Sequence, residues 1–251
     1  VCSSDLKVIT ATNVFAHIEN INDIVKLISD LLTKDGIFIS ESHYLSPLIK
    51  TLQYDTIYHE HLRYYSLHSL KFLLEKHGFE IIHAKEIPTH GGSIRVYASK
   101  IGTHTINNSV QTILNIEKET ITQKNSLVNF KNSVVNSKLE LMALLNDLKK
   151  QNKKIVGIGA PSRASTLINY TGINEDIISS VMEIQGSHKI GKYIPGTLIP
   201  VLEESKLYEE QPDFAILLSW HIAEELAEKI KEKGFQGDFI IPLPIPRILR
   251  L

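Results

Sequence analysis

The sequence predicts an α/β protein with two sheet-bearing domains. Three observations predict it. Strand-like and helix-like runs alternate through residues 7–100 and again through 153–251. Between them, residues 101–152 are polar, rich in Asn and Lys, and carry Leu and Val spaced as along a helix. The joint "THGG", residues 89–92, is too short for a crossover helix, so the β-rich runs around it pair antiparallel. The expected boundaries are a sheet domain over 1–100, a helical connector over 101–152 and a second α/β domain over 153–251.

In order, "KVITATN" (7–13) reads as a buried strand. "NINDIVKLISDLLTKDG" (20–36) has apolar residues at helical spacing and a Lys-Asp-Gly stop. "GIFISESHY" (36–44) is the next strand, and the Ser then Pro of "SPLIKTLQYD" (46–55) signals a helix start. "SLHSLKFLLEKHGFE" (66–80) is an amphipathic helix closed by Gly78, and "FEIIHAKEIP" (79–88) and "GSIRVYASK" (92–100) form the hairpin. "LVNFKNSVVNSKLELMALLNDLKKQ" (127–151) is the long helix of the connector. "KKIVGIGAPSRASTLINY" (153–170) is strand, glycine turn, helix. Further strands follow at "ISSVMEI" (178–184), "DFAILLSW" (213–220) and "FQGDFIIPLP" (235–244), with a helix at "AEELAEKIKEKG" (223–234) between the last two. This order predicts a parallel, doubly wound sheet.

Composition narrows the function. The 251 residues are 43% hydrophobic and 22% charged, ordinary for a soluble globular chain with enough apolar residues for two modest cores. A formal net charge of −1 gives no basic surface for nucleic acid or anionic membrane. No apolar run approaches the ~18 residues of a membrane span. Cys2 is the one cysteine. Disulfides therefore do not hold the fold, which suits the cytoplasm, and a cysteine zinc site within the chain is excluded. The opening "VCSSDL" reads like translated sequencing-adaptor DNA followed at once by a competent strand, so the chain is expected to be a fragment lacking its N-terminal part.

Three stretches carry candidate chemistry. "QYDTIYHEHLRYYS" (53–66) sets His59, Glu60 and His61 in a row among Tyr54, Tyr58, Tyr64 and Tyr65. Imidazole exchanges a proton near neutral pH, and a neighbouring carboxylate or phenol can orient and tune it. In an extended segment the two imidazoles face one way and Glu60 the other. A solvated polar loop is the bland alternative. A metal site is another, needing a third ligand from His17, His43 or His90. In "THGGSIRVY" (89–97), Gly91 and Gly92 admit a close backbone approach and Arg95 can bind an anion, or the stretch is only a hairpin turn. In "GIGAPSRAST" (157–166), Gly157 and Gly159 turn into a helix whose N–H groups suit a phosphate. Ser162 stands where a third glycine of the dinucleotide fingerprint would be, and Glu183 could meet a ribose hydroxyl. The bland alternative there is a packing turn. An NAD- or CoA-type binding protein built on that turn leaves the Tyr-His-Glu-His stretch idle.

"QYDTIYHEHLRYYSL", "PTHGGSIRVYA", "GIGAPSRASTLINY" and "GKYIPGTLIPV", in this order and spacing, resemble the sugar C-methyltransferases that act on nucleotide-linked keto-deoxysugars. These are class I S-adenosylmethionine-dependent enzymes, and the resemblance runs from about residue 7 to about 245. It implies the C-terminal half of a class I methyltransferase sheet followed by a second Rossmann-like α/β domain. "ITATNVFAHIENI" (9–21) resembles the fourth strand and its loop, which makes Asn13 and His17 candidates at the cofactor, and "LLTKDGIFISE" (31–41) resembles the fifth. The family's zinc cysteines and the glycine-rich turn that grips S-adenosylmethionine are absent, so zinc is expected only in a preceding part and cofactor binding is expected to be incomplete. An uncovered sheet edge is expected to leave the chain less stable and prone to associate.

The resemblance also implies roles. Methylating a carbon next to a ketone needs a base for its proton and donors for the enolate oxygen. His61 maps to the family's base, with Tyr58 and Glu60 in support. The stretch "ESHYL" gives His43 or Tyr44 for a histidine that follows the fifth strand. His90 and Arg95 are expected to face the substrate or its phosphates. Gly159, Ser162, Arg163 and Tyr193 are expected to hold the nucleotide-linked sugar in the C-terminal domain.

Overall fold

The computed structural model describes residues 5–251; Cys2 and its three masked neighbours lie outside the described residues. The chain divides into two compact units. The first runs to Lys50 and resumes over His59–Asn129, and the second comprises Thr51–Tyr58 and Phe130–Leu251.

The first unit holds β1 (Leu6–Thr12), β2 (Leu32–His43), β3 (Phe79–Ile87) and β4 (Ser93–Lys100) in the order β1-β2-β4-β3. β1 and β2 are parallel and β2–β4 antiparallel; β3–β4 is antiparallel, as the short "THGG" joint required. Helices α1 (Ile21–Leu31), α2 (Leu45–Lys50), α3 (Leu67–Glu75) and α4 (Asn108–Thr120) complete the unit. Ile21, Val25 and Ile28 of α1, and Leu67, Leu70 and Leu74 of α3, sit at helical spacing and are buried with Phe15, Phe38 and Phe79 in one core. Ser66 caps α3 in a reciprocal pair with Ser69.

Two expectations for this unit are corrected. α1 stops at Leu31, three residues before the Lys-Asp-Gly, because Leu32 is already extended and fully buried at the start of β2. β1 is not a buried strand: Val8, Thr10 and Thr12 are exposed, and only Ile9 and Ala11 pack toward the core. Its sequence alternates weakly, and its place at the sheet edge, paired to β2 alone, leaves one face and one row of backbone groups uncovered.

The second unit contains most of α5 (Ser126–Lys150), then β5 (Ile155–Ile158), α6 (Ser162–Thr171), β6 (Val181–Glu183), β7 (Val201–Glu203), α7 (Ser205–Glu210), β8 (Phe214–Leu217), α8 (Ala223–Glu232), β9 (Asp238–Ile241) and β10 (Arg247–Leu249). The strand order is β10-β9-β8-β5-β6-β7. The chain winds outward in both directions from the β5–β8 pair, so that pair is the topological switch point of a doubly wound sheet. The all-parallel expectation is corrected at one edge, where β10 is antiparallel to β9. The proline-rich turn at 242–246 is too short for a crossover and folds β10 straight back. The three-residue β7 and β10 escaped sequence reading because neither is long enough to show a period.

The segment expected as a connector over 101–152 is two helices, each part of a core. Val110, Ile113 and Leu114 of α4 join the first core. Leu141, Leu145 and Leu148 of α5 join the second. Among the described residues no helix is long and apolar enough to cross a membrane.

Candidate active site

The candidate side chains of the first unit gather at one end of its sheet. β1 and β2 are parallel, so both carboxyl ends lie there, and the hairpin before β4 returns to the same end, with His43 opposite Ser93. After β1 the backbone turns at Asn13 (φ 54), whose N–H donates to the Glu41 carbonyl at 2.9 Å. Phe15 anchors the following turn in the core, and His17 ends it at the surface.

The Tyr-His-Glu-His stretch is laid along this turn by its own backbone and by Arg63. The Leu62 N–H donates to the Ala16 carbonyl at 2.9 Å. The Arg63 guanidinium donates to the carbonyls of Ile18 and Glu19, the latter at 2.7 Å. The Tyr65 hydroxyl donates to the Phe15 carbonyl at 3.2 Å, and the Tyr65 carbonyl accepts from the Leu45 N–H at 2.8 Å. These fixings bring the His61 ring to 5.0 Å from that of His17 and 6.2 Å from that of Tyr64, centroid to centroid. His61 is half-buried, while His59 and Glu60 are exposed. Tyr58 is half-buried and belongs to the second unit.

The hairpin closes the same end. The Tyr44 N–H donates to the Gly92 carbonyl at 3.1 Å, and the Thr89 hydroxyl to Glu41 at 3.3 Å. His90 is exposed and left-handed, with φ 55. Gly92 has φ +118, and a Cβ there would lie 2.5 Å from the Pro47 side chain of α2. Gly92→Ala is therefore expected to lower stability by about 1–3 kcal/mol through combined backbone strain and clash. Urea unfolding checks this, and an unchanged midpoint would show that the hairpin can shift off Pro47 freely.

Two expected substrate residues of this unit have other partners. Tyr44 is fully buried, and its hydroxyl donates to Glu117 at 2.8 Å. Burial first, then the Glu117 charge, raises its pKa. It is a core residue, turned inward because it follows His43 at the end of an alternating strand. Arg95 donates from Nε and Nη2 to Glu41 at 2.9 and 2.6 Å. Hydrogen bonds to Glu41 and then Tyr97 raise its pKa. It ties β4 to β2, and its charge is already matched by the buried Glu41 carboxylate.

At the carboxyl end of β5 in the second unit, Gly159 (φ +80) turns the chain toward α6 with room for little else, since a Cβ would lie 3.2 Å from the Ser219 hydroxyl. Its N–H donates to the Met182 carbonyl at 2.8 Å. The Ala160 N–H donates to Glu183 at 2.9 Å, and Lys189 donates to the Ala160 carbonyl at 2.6 Å. The expected diphosphate cradle thus has two of its N–H groups engaged within the chain. Glu183, expected at a ribose, fills the anion's place. Arg163 is also reassigned: it is buried, donating from Nε and Nη2 to Asp55 at 2.7 Å each. Ser162 and Tyr193 are exposed.

Sequence reasoning missed Glu117, Glu41, Arg63, Asp55 and Trp220. The signal for Asp55 was present: it is the lone charged residue of the run "LQYDTIY" (52–58), and a carboxylate buried with such a run needs a partner. Among the described residues, no group of three or more His, Cys, Asp or Glu side chains is gathered to hold a metal ion.

Residues 88–244 match the model of a C-methyltransferase C-terminal domain, and residues 4–84 match that of a methyltransferase domain. The chain belongs to the C-methyltransferase family. A curated relative, C-methyltransferase NovU of Streptomyces niveus, is 35% identical over 238 residues, covering 94% of this chain and 56% of NovU. The chain thus spans little more than half the length of that relative. In this C-methyltransferase-family chain the two matched segments meet within the β3–β4 hairpin, inside the first compact unit.

Proposed function

We propose that the protein is an S-adenosylmethionine-dependent C-methyltransferase that methylates the carbon next to the ketone of a nucleotide-linked keto-deoxysugar. The observation that carries this reading is His61, clamped through Leu62 and Arg63 beside His17 where the parallel strands end. Ligands of such sheets bind at the carboxyl ends of the strands. S-adenosylmethionine would supply an electrophilic methyl group. Asn13 and His17, where the left-handed backbone ends β1, are the residues of this chain that would meet it.

His61 takes the proton from the carbon next to the ketone. The freed electron pair moves onto the carbonyl oxygen, and His43 at the end of β2 is the candidate donor to that oxygen. His17 packs against the His61 ring and limits its rotation. Tyr58 and Glu60 support the base, and His90 at the hairpin faces the sugar. Ser162 at the first turn of α6, beside Gly159, and the exposed ring of Tyr193 are the candidates for the nucleotide. With two of its N–H groups engaged and Arg163 buried, that turn contributes less to a diphosphate than its sequence promised.

Incubating the protein with S-adenosylmethionine and such a sugar in deuterated water tests the proposal. Deuterium entering the carbon next to the ketone, together with methyl transfer to the same carbon, is expected. Exchange without transfer would keep the base and overturn the transferase reading for this chain. Neither event would overturn both.

A further inference from the structure

The segment Thr51–Tyr58 leaves the first unit and folds with the second. Asp55 is its anchor. The carboxylate is fully buried and accepts three hydrogen bonds, two from Arg163 at 2.7 Å and one from the Trp220 indole at 2.8 Å. Arg163 lies over the Trp220 ring, 5.1 Å from its centroid, and its Nη1 is 3.3 Å from His221 Nδ1. A paired, bidentate geometry of this kind fixes both position and orientation. Buried ion pairs add little stability over apolar side chains of similar size, so their use points to the one arrangement they enforce.

What this pair enforces is the backbone leading to Tyr58. Tyr54 packs edge-on to Tyr170 at 5.1 Å, and Thr166 donates to the Ile57 carbonyl at 3.3 Å. The Ile57 N–H donates to the Tyr54 carbonyl at 3.0 Å, and the Tyr58 N–H to the Thr56 carbonyl at 3.1 Å. These bonds tie the backbone between Asp55 and Tyr58. We infer that Arg163 and Asp55 are positioning residues for the proposed reaction, which hold Thr51–Tyr58, and with it the backbone of Tyr58, in one conformation within the second unit, and that Arg163 is not a phosphate ligand. The inference rests on the C-methylation proposed above.

The test uses the apolar double variant Asp55→Leu with Arg163→Met, the single variant Arg163→Lys, and Tyr58→Phe alone and in the double background. The readouts are deuterium exchange next to the ketone, kcat, and KM for the nucleotide-linked sugar. The double variant should stay folded, with kcat and exchange lowered roughly ten- to a hundredfold, as for a misplaced group. KM should change little. Tyr58→Phe should cost the double variant much less than it costs the wild type, because the two changes act through one group. Should the double variant fail to fold, Arg163→Lys, which keeps the charge but loses the fork, is read the same way with a smaller drop. A raised KM with kcat kept would make Arg163 a phosphate contact and overturn the inference. So would unchanged kcat and exchange, which would leave the pair purely structural. Absence of exchange in the wild type would instead remove the C-methylation reading, and this inference with it.

Discussion

His61→Asn lowers deuterium exchange next to the ketone, and methyl transfer with it, by about a hundredfold or more, the usual cost of losing a general base. The fold is expected to survive. The Leu62 and Tyr65 backbone and the Arg63 and Tyr65 side chains, which lay residues 59–65 along the turn after β1, are unchanged in the variant. Asparagine keeps a polar group of similar reach without the basicity. Thermal unfolding of the variant should therefore match the wild type while the rate falls. An exchange rate that does not fall would assign the base to another residue, with His43 and His17 next in line.

Glu117→Ala is expected to cost the first unit roughly 3–5 kcal/mol, the scale of breaking a buried charged network from one side. This carboxylate is fully buried on α4 and accepts from four donors: the Tyr44 hydroxyl, the Leu67 and His68 N–H groups, and the His68 ring, whose tautomer then carries the proton on Nδ1. Two of these are open N–H groups at the start of α3, where a negative charge also meets the positive end of the helix. Removing it takes away the carboxylate to which the buried Tyr44 hydroxyl donates. Tyr44→Phe should cost far less, about 1 kcal/mol, because the carboxylate keeps its other donors. Guanidinium unfolding of both variants checks the contrast. Equal losses would place the weight on the Tyr44–Glu117 bond rather than on the helix start.

Much of the fold was legible because its signals are local. The period of α1 and α3, the short "THGG" joint and the glycine turn before α6 each fix structure within a few residues. That β1 and β2 end on the side where the β3–β4 hairpin turns was legible as well, since strand ends and hairpins follow from the order of elements. What was not legible is pairing at a distance. Arg163 looked like a phosphate ligand because its place in the first turn of a helix suits one, and nothing nearby names Asp55 as its partner. Tyr44 looked available because it adjoins His43, but one step along a strand reverses the side chain. Arg95 and Glu183 have the same lesson: a charged residue beside a binding turn can serve the turn itself. Strand burial failed at β1 because apolar content does not tell an edge from a centre.

The excursion of Thr51–Tyr58 governs the order in which the molecule can assemble. Asp55 meets Arg163 across 108 positions and Trp220 across 165. Local turns of α6 and α8 can form early, but the second core is incomplete until an octapeptide made long before it is threaded back into place. Closing so large a loop is slow compared with the local steps, although its entropic cost grows only with the logarithm of its length. During synthesis the early chain must therefore wait, with Leu52, Tyr54 and Asp55 uncovered, until the last third of the protein has emerged. A cut at the border between Asn129 and Phe130 would not release an independent second half: the piece beginning there keeps Arg163 and Trp220 and has lost the carboxylate that both of them serve.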